Sequence, residues 1–307
     1  MAQSFADFVK MRKDQADGRD PAAPTLYAHP TDSTVQRLLS RAPLRGSIEE
    51  AINAAVRVVY GTMVHDTVQV TPRQFPEIYA LLVDCANRLS IPVPRLLLGA
   101  TINNTWMNAF TIGNNEHCFI FMTSMLAQQL TPEELRFVIG HECGHIHNHH
   151  VSFLTLAYLT HHRVFGRFWQ APAAYKFPLL ATKLPLDAWQ RRAEVTADRA
   201  GAICAGNADA GARALIKLRL GYATLAKELD VEAYLDQGDL LRQETLAVRG
   251  AELTHAHPLI VKRIKMLRLF ARSELFYSCA GLPRPEGADL LQRNELERQT
   301  EAIVKVL

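Results

Sequence analysis

No two cysteines in this sequence stand as Cys-x-x-Cys, and the five present, Cys85, Cys118, Cys143, Cys204 and Cys279, are odd in number and scattered. Neither a disulfide framework nor a thiolate zinc site is indicated, and a reducing compartment, the cytoplasm, is the expected location. Charge of one sign is scarce too: 34 basic against 31 acidic side chains leave a formal net charge of +3. That is too small and too dispersed for a phosphate-binding stripe, so nucleic acid is not an expected partner. Long apolar runs are missing as well. A membrane-spanning helix needs about 20 mostly apolar residues, and the nearest stretches, 151–160 and 177–186, are short, the second being interrupted by Lys183 and Pro185. The first fifteen residues carry Asp7, Lys10, Arg12, Lys13 and Asp14 with no apolar block between them, so export by a secretory signal is not expected. The stretch 151–186 is rich in Leu, Phe, Tyr and Trp. It reads as core-covering helices or a flap, with peripheral membrane contact as the alternative.

What is present is a chain of 307 residues, 48% of them apolar, an ordinary globular protein of one or two domains. Residues 14–46 are broken up by Gly18, Pro21, Pro24, Pro30, Pro43 and Gly46 and read as an irregular lead segment. From Ser47 a helical period appears through Ile48, Ala51, Ile52, Ala55, Val56 and Val59. A second helix is predicted to begin near Thr71 and Pro72 and to run to Leu89. Strands are predicted over 95–100, 101–112 and 117–123, the last two joined by a hairpin turn at Gly113, Asn114 and Asn115. They imply a small, largely antiparallel sheet. Thr131, Pro132 and Glu134 form a strong helix start, with Thr131 as N-cap and Glu134 at the capping-box position. The helix that follows is apolar nearly all round, as buried helices are. Beyond residue 187, helices are expected between breaks at Gly206, Gly211, Gly238, Gly250 and Pro258.

Inside the buried helix lies His141-Glu142-Cys143-Gly144-His145. Positions four apart on an α-helix differ by about 40° in direction and about 6 Å in rise, so both imidazoles project from one face and can reach one metal. Neutral imidazole suits Zn²⁺, and a catalytic zinc keeps three protein ligands with a fourth position for water. Glu142 can reach that water and take its proton. The alternative is a pair of histidines satisfied by backbone or neighbouring side chains. It is disfavoured because unpaired polar groups in a buried helix cost roughly 1 to 3 kcal/mol each. Cys143 points about 200° away from His141 and reads as core. His149 lies about 12 Å along the helix from His141 and cannot share the metal unless the helix breaks. His147, His149, His150, His161 and His162 read as helix-end and surface residues or a weak metal patch, with His150 the one to watch. A third ligand is sought in the alanine-rich helix opened by Asp187, where Glu194 and Asp198 are four apart on one face. Glu194 could ligate while Asp198 accepts a hydrogen bond from a ligand histidine. The competing reading there is an exposed helix of mixed charge.

These residues resemble the M48 family of zinc metallopeptidases, in the gluzincin group whose third ligand is a glutamate. The resemblance runs from about Val68 to Leu267. It rests on Asn108-Ala109-Phe110, on residues 131–145 with their E-E-L and G-H-E-x-x-H elements, on Glu194-x-x-Ala197-Asp198, and on His257-Pro258 followed by Arg263-Ile264. It implies one Zn²⁺ per chain held by His141, His145 and Glu194, Glu142 as general base and later proton donor, and Asp198 behind a ligand histidine. It also implies that His257 stabilises the oxyanion, that Arg263 orders the carboxylates or His257 from behind, and that a protein or peptide substrate adds as a strand along residues 105–111, Asn108, Ala109 and Phe110 among them.

The expected fold is α+β and predominantly helical, a zincin-like metallopeptidase with a small, mostly antiparallel sheet over the H-E-x-x-H helix. The expected division is an N-terminal extension at 1–46, a peptidase domain at 47–275 and a helical tail at 276–307. The expected activity is zinc-dependent endopeptidase. A zinc-bound but latent or inactive peptide-binding scaffold, its cleft plugged by the lead segment, is the second reading. A metal-dependent amidase is the third.

Overall fold

The fold is that of residues 25–31, 63–101, 107–114, 118–155, 173–221, 230–242 and 258–305, with scattered positions at 50–61 and 225–228, in a computed structural model. The helix expected from Ser47 to Val59 falls largely outside these residues, as do His257, most of the lead segment and residues 156–172. No described helix is long and apolar enough to cross a membrane.

Strand β1 (Thr67–Gln69) precedes helix α1 (Pro76–Arg88). That helix starts later than the sequence predicts. Thr71 and Gln74 exchange backbone hydrogen bonds of 2.9 and 3.0 Å in a tight turn, so the chain turns at Pro72 and the helix begins at the next proline, Pro76. Strands β2 (Arg95–Gly99), β3 (Ala109–Gly113) and β4 (Cys118–Thr123) complete a four-stranded sheet in the order β1-β2-β4-β3. β3 and β4 form the expected antiparallel hairpin, and β1 pairs antiparallel with β2. β2 and β4, however, are parallel, with Leu97 opposite Phe121. The hairpin folds back so that β4, not β3, lies beside β2. β4 is therefore buried along its whole length: Ile120 and Met122 join the main core, while Phe119 and Phe121 join a second cluster with Leu97, Ile112 and Trp189. A central strand covered on both faces reads as a continuous apolar run, as Cys118–Thr123 does.

After a short helix α2 (Ser124–Gln129), Thr131 caps α3 (Pro132–His147) with the complete capping box: its hydroxyl accepts from the Glu134 N–H and Glu134 Oε2 accepts from the Thr131 N–H. Helix α4 (Ala173–Ala205) begins well before Asp187 and packs along α3. Small residues make this approach possible. A Cβ at Gly144 would lie 2.5 Å from Ala200 Cβ, one at Gly140 2.6 Å from Cys204 Cβ, and one at Gly201 2.7 Å from the Phe137 carbonyl oxygen. The alanines around Glu194 are thus the contact surface that brings its carboxylate to the histidines.

Helices α5 (Ala208–Leu220), α6 (Val231–Arg242), α7 (Ile260–Ala271), α8 (Glu274–Ala280) and α9 (Arg293–Val304) follow. Gly211 and Gly238 lie inside α5 and α6 rather than between helices, because Phe137 and Val261 press against them; a Cβ at either would meet those side chains at 2.4 Å. The five cysteines are all free, and Cys143 is fully buried in the main core.

Residues 25–31 strap the far end of α3 to α4 and α9. Tyr27, buried, sets its hydroxyl 2.7 Å from His147 Nδ1 and accepts from Asn148 Nδ2 at 3.1 Å, while Thr25 donates to Asn148 Oδ1 at 2.7 Å. Arg199 donates to the Tyr27 carbonyl at 3.1 Å and forks onto Glu297 of α9 at 2.8 and 3.0 Å.

Candidate metal centre

The sheet, α3 and α4 converge on His141, His145 and Glu194. All three are buried, Glu194 to 2% exposure, which sets aside the exposed-helix reading of its segment. The Nε2 atoms of the two histidines lie 3.2 Å apart, and Glu194 reaches them with Oε2 3.7 Å from His141 and Oε1 3.5 Å from His145. Metal–ligand bonds of about 2.0 to 2.1 Å at tetrahedral angles put neighbouring donors about 3.3 to 3.4 Å apart. The three separations bracket that value, and the donor set of two imidazoles and one carboxylate is one a borderline-soft divalent cation takes, so the residues fit a metal.

The rear of the site is held by charge. Asp198, one turn beyond Glu194, lies 2.9 Å through Oδ1 from His141 Nδ1, which leaves Nε2 of that ring facing forward. Arg263 of α7 forks onto Asp198, Nε to Oδ2 at 2.8 Å and Nη2 to Oδ1 at 2.5 Å, and sets Nη1 3.2 Å from Glu194 Oε2. Burial pushes the Asp198 carboxyl up, but the Arg263 guanidinium and the His141 ring outweigh it and hold the group below the usual carboxylate range. For His141, burial acts downward, yet the bond to Asp198 and the nearby Glu194 and Asp198 charges leave it above the ordinary imidazole range. His145 goes the other way: burial, helped by its histidine neighbours, outweighs Glu194 and pushes it down to about 3. A downward shift favours the neutral ring, the form in which an imidazole ligates a cation.

Glu142 sits beside the donors, 5% exposed, and Thr111 of β3 donates to its Oε2 at 2.6 Å. β3 is an outer strand of the described sheet, and it carries Ala109 and Phe110, with Asn108 just before it anchored to Thr123 through hydrogen bonds of 3.0 and 3.1 Å. The structure therefore gathers His141, Glu142, His145, Glu194, Asp198 and Arg263 into one site, with Ala109 and Phe110 on the strand that packs against α3 and Asn108 immediately before it. The sequence placed Thr111 on the substrate strand without its bond to Glu142, and His150, the histidine to watch among those read as helix-end, surface or weak metal-patch residues, is fully buried beside His145.

Comparison with known proteins agrees with this geometry. The model of "Peptidase family M48" matches residues 72–271. The "Plastoglobule-localized metallopeptidase 48, chloroplastic" of Arabidopsis thaliana is 29% identical over 262 residues, 80% of this chain and 72% of that protein. A "Protease HtpX homolog" of Ralstonia pickettii is 29% identical over 226 residues, covering 67% of this chain and 77% of its own, and one of Bifidobacterium longum is 26% identical over 227 residues, 66% and 73% of the two chains. No solved structure matches the chain significantly. The family model spans most of the chain and ends within α7, so it covers every gathered residue from Thr111 to Arg263, and the chain belongs to peptidase family M48, a metal-dependent hydrolase of protein or peptide substrates.

Proposed function

We propose that the chain is a zinc-dependent endopeptidase in which His141, His145 and Glu194 hold one Zn²⁺, Glu142 is the general base, and Asn108, Ala109 and Phe110 align the substrate. The observation that carries this reading is the set of three donor separations, 3.2, 3.5 and 3.7 Å, between atoms on two helices. When bound there, Zn²⁺ would polarise the scissile carbonyl and lower the pKa of a water from 15.7 towards about 7.

The protein's own groups do the rest. A substrate strand along β3 would present its scissile carbonyl over the donors through main-chain bonds. Thr111 donates to Oε2 of Glu142 at 2.6 Å and helps fix the carboxylate plane, and the Glu142 carboxylate takes a proton from the attacking water. As the water oxygen bonds to the carbonyl carbon and the C–N bond breaks, Glu142 passes that proton to the leaving amine, a role worth roughly 10² to 10⁴ in rate. Asp198 and Arg263 keep His141 in the tautomer that turns Nε2 forward, and Arg263 offsets the charge of two buried carboxylates. His257 is assigned to the oxyanion on the family resemblance.

On the same reading residues 47–275 form the peptidase body, with 1–46 an extension and 276–307 a helical tail. A reducing, cytoplasmic location belongs to the same reading, on the odd number and scatter of the cysteines in the sequence. The test is zinc content together with cleavage of an unstructured protein before and after chelation: one zinc per chain, activity lost on chelation and regained with zinc are expected. Chelator-resistant proteolysis would overturn the proposal.

A further inference from the structure

Helix α3 does not fray at its end; it turns in a left-handed cap. His149 adopts φ 57°, the His149 N–H bonds to the Ile146 carbonyl at 3.2 Å, and the His150 N–H reaches back to the carbonyl of His145 at 2.9 Å. Such a cap normally uses glycine or asparagine at the left-handed position. A histidine there costs of order 1 kcal/mol, a strain that persists only where surrounding structure fixes it. What the turn accomplishes is visible one residue later. It folds the chain back so that the His150 ring, fully buried, lies beside His145 with their Nδ1 atoms 2.9 Å apart. The edge-on ring of Trp189, itself fully buried, stands 5.4 Å away at 88° and fixes the plane of His150 from the α4 side.

Two nitrogens at this distance share a single proton, one ring donating and the other accepting. If Nε2 of His145 is to face a cation, the proton of the neutral ring must sit on Nδ1, and Nδ1 of His150 must then be the bare acceptor. We infer that His150 is the positioning residue of His145: its Nδ1 accepts the His145 Nδ1–H and so holds His145 in the tautomer that presents Nε2 to the metal. His150 thus does with a ring nitrogen for His145 what Asp198 does with a carboxylate for His141. The inference rests on the metal site proposed above, and it concerns a residue that touches neither metal nor substrate.

The test uses the full chain, stripped with a chelator, and measures Zn²⁺ affinity by competition with a chromophoric chelator. His150→Phe keeps a ring but removes the acceptor, and is expected to weaken zinc binding about 10- to 100-fold. His150→Asn places an amide oxygen where Nδ1 stood and is expected to stay within about threefold of the parent chain. A Phe variant that binds zinc like the parent, or an Asn variant as weak as the Phe variant, overturns the inference. Long-range ¹⁵N–¹H correlation of the histidines in the zinc-loaded parent chain reads the tautomer without any substitution. A proton on Nδ1 of His145 and on Nε2 of His150 is expected, and a proton on Nδ1 of His150 overturns the inference. His141→Ala separates the two levels: if it still takes up one zinc at parental affinity, the site itself is misassigned, whereas loss of zinc there with a neutral result at residue 150 rejects only the role of His150.

Discussion

Replacing Gly144 by alanine tests whether the close approach of α3 and α4 is what assembles the site. The new Cβ would lie 2.5 Å from Ala200 Cβ and 3.2 Å from Ala197 Cα, against about 3.5 to 4.0 Å for comfortable carbon contacts, so the helices must part by about 1 Å at that level. Overpacking of this kind costs about 1 to 3 kcal/mol, offset by about 1 kcal/mol of better helix propensity for alanine. The net loss of about 0 to 2 kcal/mol would lower the melting temperature of the metal-free chain by no more than about 8 °C. Metal binding should suffer more, because Gly144 sits between His141 and His145 on one helix while Glu194 rides on the other. Metal–ligand lengths tolerate only about ±0.2 Å, so a parting of about 1 Å must either break the Glu194 bond or be reversed at a cost drawn from binding. A loss of at least about tenfold in zinc affinity, near 1.4 kcal/mol, is expected. Chelator competition measures it, and differential scanning fluorimetry follows the metal-free chain. Adding Ala200→Gly removes the opposing methyl and should restore affinity in the double variant. Zinc affinity unchanged in Gly144→Ala, or a double variant as weak as the single one, would refute the reasoning.

Glu142→Gln should retain zinc while hydrolysis falls by about 10² to 10⁴, whereas His141→Ala should lose both; metal analysis beside a peptidase assay separates them. Arg263→Met should destabilise the metal-free chain by about 3 to 5 kcal/mol, since it strands Asp198 and Glu194 in a buried site, and urea unfolding would reveal it. Because Asp198 is held below its ordinary range, its contribution to stability is present above about pH 4 and is lost as pH falls through its lowered value in the folded chain. Buried, neutral His145 acts in the same sense: its folded pKa of about 3 lies below the unfolded value near 6.5, so the metal-free chain should weaken steadily as pH drops through that window. Acid unfolding that is flat from pH 6.5 to 3 would contradict both assignments. Tyr27→Phe removes the hydroxyl that joins His147 and Asn148, and should lower stability by about 1 to 3 kcal/mol, read from the same urea transitions.

Much of the site was legible because its signals are local. The capping box at Thr131 and Glu134 and the four-residue spacings of His141 with His145 and Glu194 with Asp198 are properties of single helices, and the structure keeps each one. What escaped depends on contacts between elements. The parallel pairing of β2 with β4 follows from which strand of a hairpin enters the sheet, a choice that alternation along the strands does not encode. Gly211 and Gly238 look like helix breaks until Phe137 and Val261 are seen against them. Thr111 and His150 act through partners 31 and 5 residues away, and a lone threonine in a strand or a histidine after a helix carries no spacing to mark it.

The central claim is that one cation is gripped by rings from α3 and a carboxylate from α4. Anomalous diffraction at the zinc edge from crystals of the zinc-loaded chain tests it most directly. The expected result is a single peak within about 2.0 to 2.2 Å of Nε2 of His141, Nε2 of His145 and an oxygen of Glu194. A peak held by other donors, or a Glu194 carboxylate turned away from it, would contradict the claim.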